Sequence, residues 1–157
     1  MADHYSEVIA ELDRKPAVIG HSFGGLLTMI VAGRGLAAAS VAIDSAPFRG
    51  VLPLPFSALK ASAPVLGNPL NRHRAIPWTE AKADFRNPGR GPLLIIEGIG
   101  DNASPPAINR AAFKLQSEKR NAVTEIASIE NRGHSITIDS GWREVCDTAL
   151  TFIKRVA

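Results

Sequence analysis

The chain has 157 residues, of which 45% are apolar and 21% charged, an ordinary globular balance for one compact domain spanning 1–157. Its net charge of +3 is scattered over short basic pairs with no aromatic-interleaved stripe, so nucleic acid is not an expected partner. No apolar run is long enough to span a bilayer, and Met1 to His4 open a polar segment rather than a leader, so a cytoplasmic location is expected. A single cysteine, Cys146, excludes an intrachain disulfide and a paired-cysteine metal clamp.

Tyr5, Val8, Ile9 and Leu12 follow the spacing of one helix face, and Pro16 ends that helix. Residues 17–20 predict a short strand that runs into Ser22. Leu26 to Val31 predict a buried helix closed by Gly33 or Gly35. "SVAID", 40–44, predicts a second strand, and "GPLLIIEG", 91–98, a third. Between them, from about Pro47 to Pro92, lies an insert with most of the chain's 11 prolines. A stretch so rich in proline is not one regular element, although Trp78 to Phe85 could form a short helix. Ser104 then caps a helix that begins with Pro105, with Ile108, Ala111, Ala112 and Leu115 on its apolar face. Residues 123–129 predict a fourth strand. A last helix begins at Asp139 or Ser140, with Trp142, Val145, Cys146, Ala149 and Ile153 facing inward. Strands alternating with helices in this way predict an α/β fold, a parallel sheet with helices on both faces.

The stretch Gly20-His21-Ser22-Phe23-Gly24 carries the chemistry. It matches G-x-S-x-G between a predicted strand and a predicted helix. A serine hydroxyl attacks only when lifted into the open, and the turn that lifts it is strained. Gly20 and Gly24 are therefore expected to supply room. The helix that follows points backbone N–H groups at the site, and the N–H of Phe23 can hold a developing oxyanion.

Such a serine needs a base, and the base an orienting acid. Of the four histidines, His4 belongs to a solvated helix and His73 to the insert between Arg72 and Arg74. His21 adjoins Ser22, and its side chain is expected to point away from the serine. That leaves His134, in a loop after the fourth strand, where Gly133 is expected to turn the backbone. For the acid, Asp101 follows the third strand. Asp44, at the end of "SVAID", is its rival, and Glu97, still inside the strand, a weaker one. With Asp101, the order Ser, Asp, His falls on successive strand ends.

On "VIGHSFGG", "PLLIIEGIGDNASP" and "RGHSITIDSGW" the chain resembles α/β-hydrolase-fold serine hydrolases, the group of esterases, lipases and cofactor-free haloperoxidase-like enzymes. The resemblance implies Ser22 as nucleophile, Asp101 as acid and His134 as base, with no cofactor and no metal. The insert then corresponds to a short, irregular cap at 47–92, with Leu52, Leu54, Phe56, Leu59, Val65, Leu66 and Trp78 lining the pocket for a small-molecule ester. In that family several strands precede the serine, whereas here one helix and one strand do. The chain thus reads as the C-terminal half of the fold, without the loop that usually gives the second oxyanion donor. A strand built to be central would then be left at an edge, which predicts a homodimer. The expected activity is cleavage of short- to medium-chain carboxylic esters. The alternative is a non-catalytic remnant that binds ligands or self-associates.

Overall fold

The computed structural model describes residues 1–47, 84, 86–118 and 122–157. The predicted short helix at 78–85 and the cap lining residues lie outside that set, except for Asp84, as does His73. The elements run α1 (Ala2–Ala10), β1 (Ala17–His21), α2 (Phe23–Gly33), β2 (Ala39–Ile43), β3 (Leu93–Gly98), α3 (Pro106–Ser117), β4 (Thr124–Ile129) and α4 (Trp142–Val156). The four strands form one sheet in the order β1-β2-β3-β4, and each neighbouring pair is parallel.

Strand parity divides the core in two. Ala42, Leu93 and Ile95 meet Leu26, Leu27, Met29 and Ile30 of α2 and Ile108 and Ala112 of α3. Val41, Ile43, Leu94 and Ile96 point the other way, onto Val145, Ala149 and Phe152 of α4. Successive side chains leave a strand on opposite faces, so two strands that are mostly apolar on both faces must be covered on both sides. β2 and β3 are buried along their whole length.

β1 and β4 are the edges, and β1 carries the consequence. Its Ile19 is 49% exposed. The periodic face of α1 is exposed as well. Tyr5, Val8 and Leu12 all face solvent, and no residue of α1 is buried. The helix is held to the body by Ala2, which packs on the α2/α3 core, and by Arg34, which reaches Ser6 and Asp3 at 2.6 Å each.

Helix ends differ from the sequence expectation in two places. Ser104 does not cap α3. Its hydroxyl donates to the Ser45 carbonyl at 2.5 Å, and Pro105 is the capping residue. Fixed φ makes a proline suitable there, and it frees the serine to tie the loop after β2 to the loop after β3. α4 begins at Trp142, later than expected, because Asp139 and Ser140 remain in the loop that carries His134. There the Asp139 carboxylate accepts from the Gly141 N–H at 2.7 Å. The α2 end is as read. Gly35 takes the left-handed conformation, φ +72°, and closes the helix.

Candidate active site

All the polar groups of interest sit at the carboxyl end of the sheet, where open α/β sheets hold their ligands. β1 runs into Ser22, which has φ 56° and ψ −117°, a conformation that L-residues adopt only under constraint. Three backbone bonds impose it. The Ser22 N–H donates to the Ile43 carbonyl at 2.9 Å, and the Ser22 carbonyl accepts from the N–H groups of Leu26 at 3.2 Å and Ala46 at 3.0 Å. The turn is so tight that a Cβ on Gly20 would collide with the Gly24 carbonyl and the Thr28 hydroxyl. A Cβ on Gly25 would press on Ser45 at 3.0 Å. At Gly24 it would meet nothing within 4 Å among the described residues. Among the described residues, the room at this corner comes from Gly20 and Gly25 rather than Gly24.

Ser22 Oγ lies 2.9 Å from Nε2 of His134, and Nδ1 of His134 lies 2.7 Å from Oδ2 of Asp101. Asp101 is fully engaged. Its Oδ1 accepts from the N–H groups of Ala103 at 2.7 Å and Ser104 at 3.0 Å. Burial alone would push this carboxyl up, but the bonds from His134, Ser104 and Ala103 hold it below its ordinary value. His134 shifts the opposite way, raised first by the hydrogen bond to Asp101, against the opposing effect of burial. At neutral pH this carboxylate is thus an ionised acceptor for the Nδ1–H, which leaves Nε2 free to face the serine.

The loop that delivers His134 turns at Asn131, φ 57°, and not at Gly133, whose φ is not positive. Asparagine tolerates that region better than most residues, which explains the substitution of roles. The loop lies close over the β3 end. The Arg132 carbonyl accepts from the Gly100 N–H at 2.8 Å, and a Cβ on Gly98 would come within 2.8 Å of that carbonyl. Gly98 and Gly100 are thus needed for close approach of two backbones.

Of the other candidates, two lie away from the serine and two beside His134. His4 is exposed beside Glu7. Glu97 is buried and holds Arg110 Nε at 2.9 Å and the Ser128 hydroxyl at 2.8 Å. Asp44 is buried under the site with φ 40°. Its Oδ1 accepts from the Gly98 N–H at 2.8 Å, and its Oδ2 has no hydrogen-bond partner among the described residues. His21 is brought against His134, a contact that its place beside Ser22 does not announce. Nε2 lies 2.8 Å from the His134 carbonyl, and the two rings have centroids 4.8 Å apart, tilted by 44°. Nothing in the spacing flagged His21, Ser104 or Asn109, whose side chain links the Ser45 N–H to the Ser104 carbonyl.

One ligand atom each from His21, Asp44 and His134 lies within 4.8 Å of the others. Zinc held at about 2.0–2.1 Å by each ligand would need them closer, near 3.4 Å apart. Both nitrogens of His134 are also engaged already. The cluster fits a hydrogen-bonded acid–base site better than a metal centre.

The comparisons agree with this geometry at the level of fold. A family model described as the alpha/beta hydrolase family matches residues 1–88, more than half of the chain, and the chain belongs to that family. A search of curated proteins finds no match. Among solved structures, a monoacylglycerol lipase of Paleococcus ferrophilus is 20% identical, with a TM-score of 0.59 over 99% of this chain and 73% of that one. An α/β hydrolase, MGS-MChE2, from a lagoon-sediment metagenome is 19% identical, with a TM-score of 0.64 over 98% of this chain and 68% of that one. The acylaminoacyl peptidase of Pyrococcus horikoshii is 17% identical, with a TM-score of 0.63 over 97% of this chain but 25% of its own. Among the described residues no helix is long and apolar enough to cross a membrane.

Asp44 gives a test of the electrostatics. Burial first, then the charges of Asp101 and Glu97, push its carboxyl from 3.8 up to about 7, against the opposing pull of the Gly98 N–H and His134. The folded chain therefore holds a proton that the unfolded chain releases between those pH values, and this group costs the fold more as pH rises through that window. Asp44→Asn keeps the shape and removes the cost. Its melting temperature is expected to exceed the wild type's by several degrees at pH 8 and by clearly less at pH 5, measured by calorimetry. An equal shift at both pH values would contradict the buried, titrating carboxyl.

Proposed function

We propose that the chain is a serine hydrolase that cleaves carboxylic esters through an acyl-enzyme on Ser22. The observation that carries this reading is the continuous hydrogen-bonded line from Ser22 Oγ through the His134 ring to Asp101. His134 takes the hydroxyl proton at Nε2 as Ser22 Oγ attacks the ester carbonyl. Asp101 holds the imidazole in the tautomer that leaves Nε2 unprotonated and stabilises the imidazolium that forms. The N–H of Phe23, the first residue of α2, serves the oxyanion at the positive end of the helix. His134 then returns the proton to the leaving alcohol, and a water activated by the same imidazole releases the acid. No cofactor enters these steps. The insert at 47–92 is assigned as the cap of a single domain, and its apolar composition favours short- to medium-chain acyl groups.

Ser22→Ala is expected to abolish hydrolysis of p-nitrophenyl butyrate with unchanged circular dichroism. Asp101→Asn is expected to cost orders of magnitude in kcat by setting the wrong tautomer. Because His134 is raised above 6.5, the acid limb of the kcat/KM profile should also fall above that value. A Ser22→Ala protein as active as the wild type would overturn the assignment.

A second reading, a self-associating module that need not be catalytic, draws on the exposed Ile19 at the β1 edge, the exposed Tyr5 and Val8 of α1 and the exposed Leu12 just after it. An edge of this kind is a template for pairing, and a two-fold contact closes on itself. The account expects a dimer, with or without activity. Light scattering coupled to size exclusion should give about twice 16.7 kDa at micromolar concentration, and a monomer mass with cooperative unfolding would rule the dimer out.

A further inference from the structure

We propose that His21 is a positioning residue for the base, its Nε2–H holding the His134 carbonyl and its ring walling the His134 imidazole so that it stays in line between Asp101 and Ser22. The inference rests on the triad reading above and adds to it a residue that, among the described residues, hydrogen-bonds through its side chain to neither Ser22 nor Asp101.

The argument starts from the loop. His134 sits among residues 130–141, which form no regular element, and a catalytic ring on such a loop must be fixed by something other than strand or helix bonds. Arg132 is anchored through its carbonyl to Gly100, and bonds from Ile136 to Gly133 and from Ile138 and Asp139 to Ser135 stay inside the loop. The His134 peptide itself is tied to the sheet by His21, at 2.8 Å across 113 positions of sequence. A carbonyl only accepts, so Nε2 of His21 must carry the proton. The same side chain covers one side of the His134 ring at 4.8 Å between centroids. The last residue of the edge strand thereby fixes both the backbone and the ring plane of the base.

The charge state suits the role. Burial is the first cause that moves His21 below 6.5. The bond to the His134 carbonyl and the charge of Asp101 oppose that shift, and the proximity of His134 adds to it. The titratable groups around it are Asp44 after β2, Asp101 after β3 and His134 after β4. A neutral His21 keeps its donor while adding no positive charge beside an imidazole that must itself become charged.

Side-chain reach makes this testable. A glutamine amide nitrogen can reach about where a histidine Nε2 sits, whereas asparagine is a bond too short. Misplacement of a catalytic group by about 1 Å can cost roughly a hundredfold in rate. His21→Asn and His21→Leu are therefore expected to lower kcat at least tenfold with KM within about twofold, and His21→Gln to recover most of the loss. A second readout does not need turnover. The His134 Nδ1 proton bonded to Asp101 should give a low-field proton resonance in the wild type and in His21→Gln, broadened by exchange in His21→Asn. Wild-type kcat and an unchanged resonance in His21→Asn would overturn the proposal. So would equal impairment of the glutamine and asparagine variants, since donor reach would then not matter. If the wild type hydrolyses no ester yet the resonance behaves as described, the serine hydrolase reading fails and the positioning role stands.

Discussion

Everything at the site depends on the backbone of Ser22 being held where an unconstrained chain would not go. Its φ of 56° is costly for a residue with a side chain, on the order of 1–3 kcal/mol, and it persists because three hydrogen bonds over-determine it. Those bonds reach into β2 through Ile43, into the loop after it through Ala46, and into α2 through Leu26. The strain is thus carried by the best-packed part of the molecule. β2 is buried throughout, and nine consecutive residues of α2, Gly25 to Gly33, are buried. A loosely packed sheet would let the turn relax and drop the hydroxyl back toward the strand.

The remaining groups are placed by the sheet acting as a ruler. Parallel strands end side by side, so the loops after β1, β2, β3 and β4 present Ser22, Asp44, Asp101 and His134 in a row. The row closes into a cluster because backbones approach closely. Gly98 and Gly100 let the Arg132 carbonyl settle over β3, and Ser104 and Asn109 stitch the Ser45 segment to the start of α3. Asp101 owes its low proton affinity to the loop around it, where two backbone N–H groups and the His134 ring outweigh the burial penalty. Asp44, one strand earlier, has among the described residues one backbone donor and an unpartnered oxygen, and burial wins. Two aspartates at equivalent strand ends therefore hold opposite charge states at moderately acid pH, and the difference is a matter of available N–H groups.

Much of this could be read from the sequence because the signals were local. Four apolar runs gave the strands within a residue or two, and G-x-S-x-G between a strand and a helix located the turn. The parity that splits Val41 from Ala42 follows from strand geometry alone. What escaped was non-local. Ser104 carries the residue type of a helix cap, but the carbonyl of Ser45, 59 positions away, claims its hydroxyl. Gly133 is the residue expected to turn the loop, yet Asn131 does it, since only the packing against Gly100 decides where the chain must reverse. The contact of His21 with His134, 113 positions away, has no local signal either. The apolar face of α1 was periodic enough to predict a helix, and periodicity does not say what, if anything, covers it.

The central claim is that one serine is activated by one imidazole. Incubation with a fluorophosphonate, followed by intact-mass measurement and peptide mapping, tests it most directly. The account predicts a single phosphonyl adduct on Ser22, formed within minutes, and no adduct over the same time in His134→Ala. An unlabelled wild type, or labelling that persists at the same rate without His134, would contradict it.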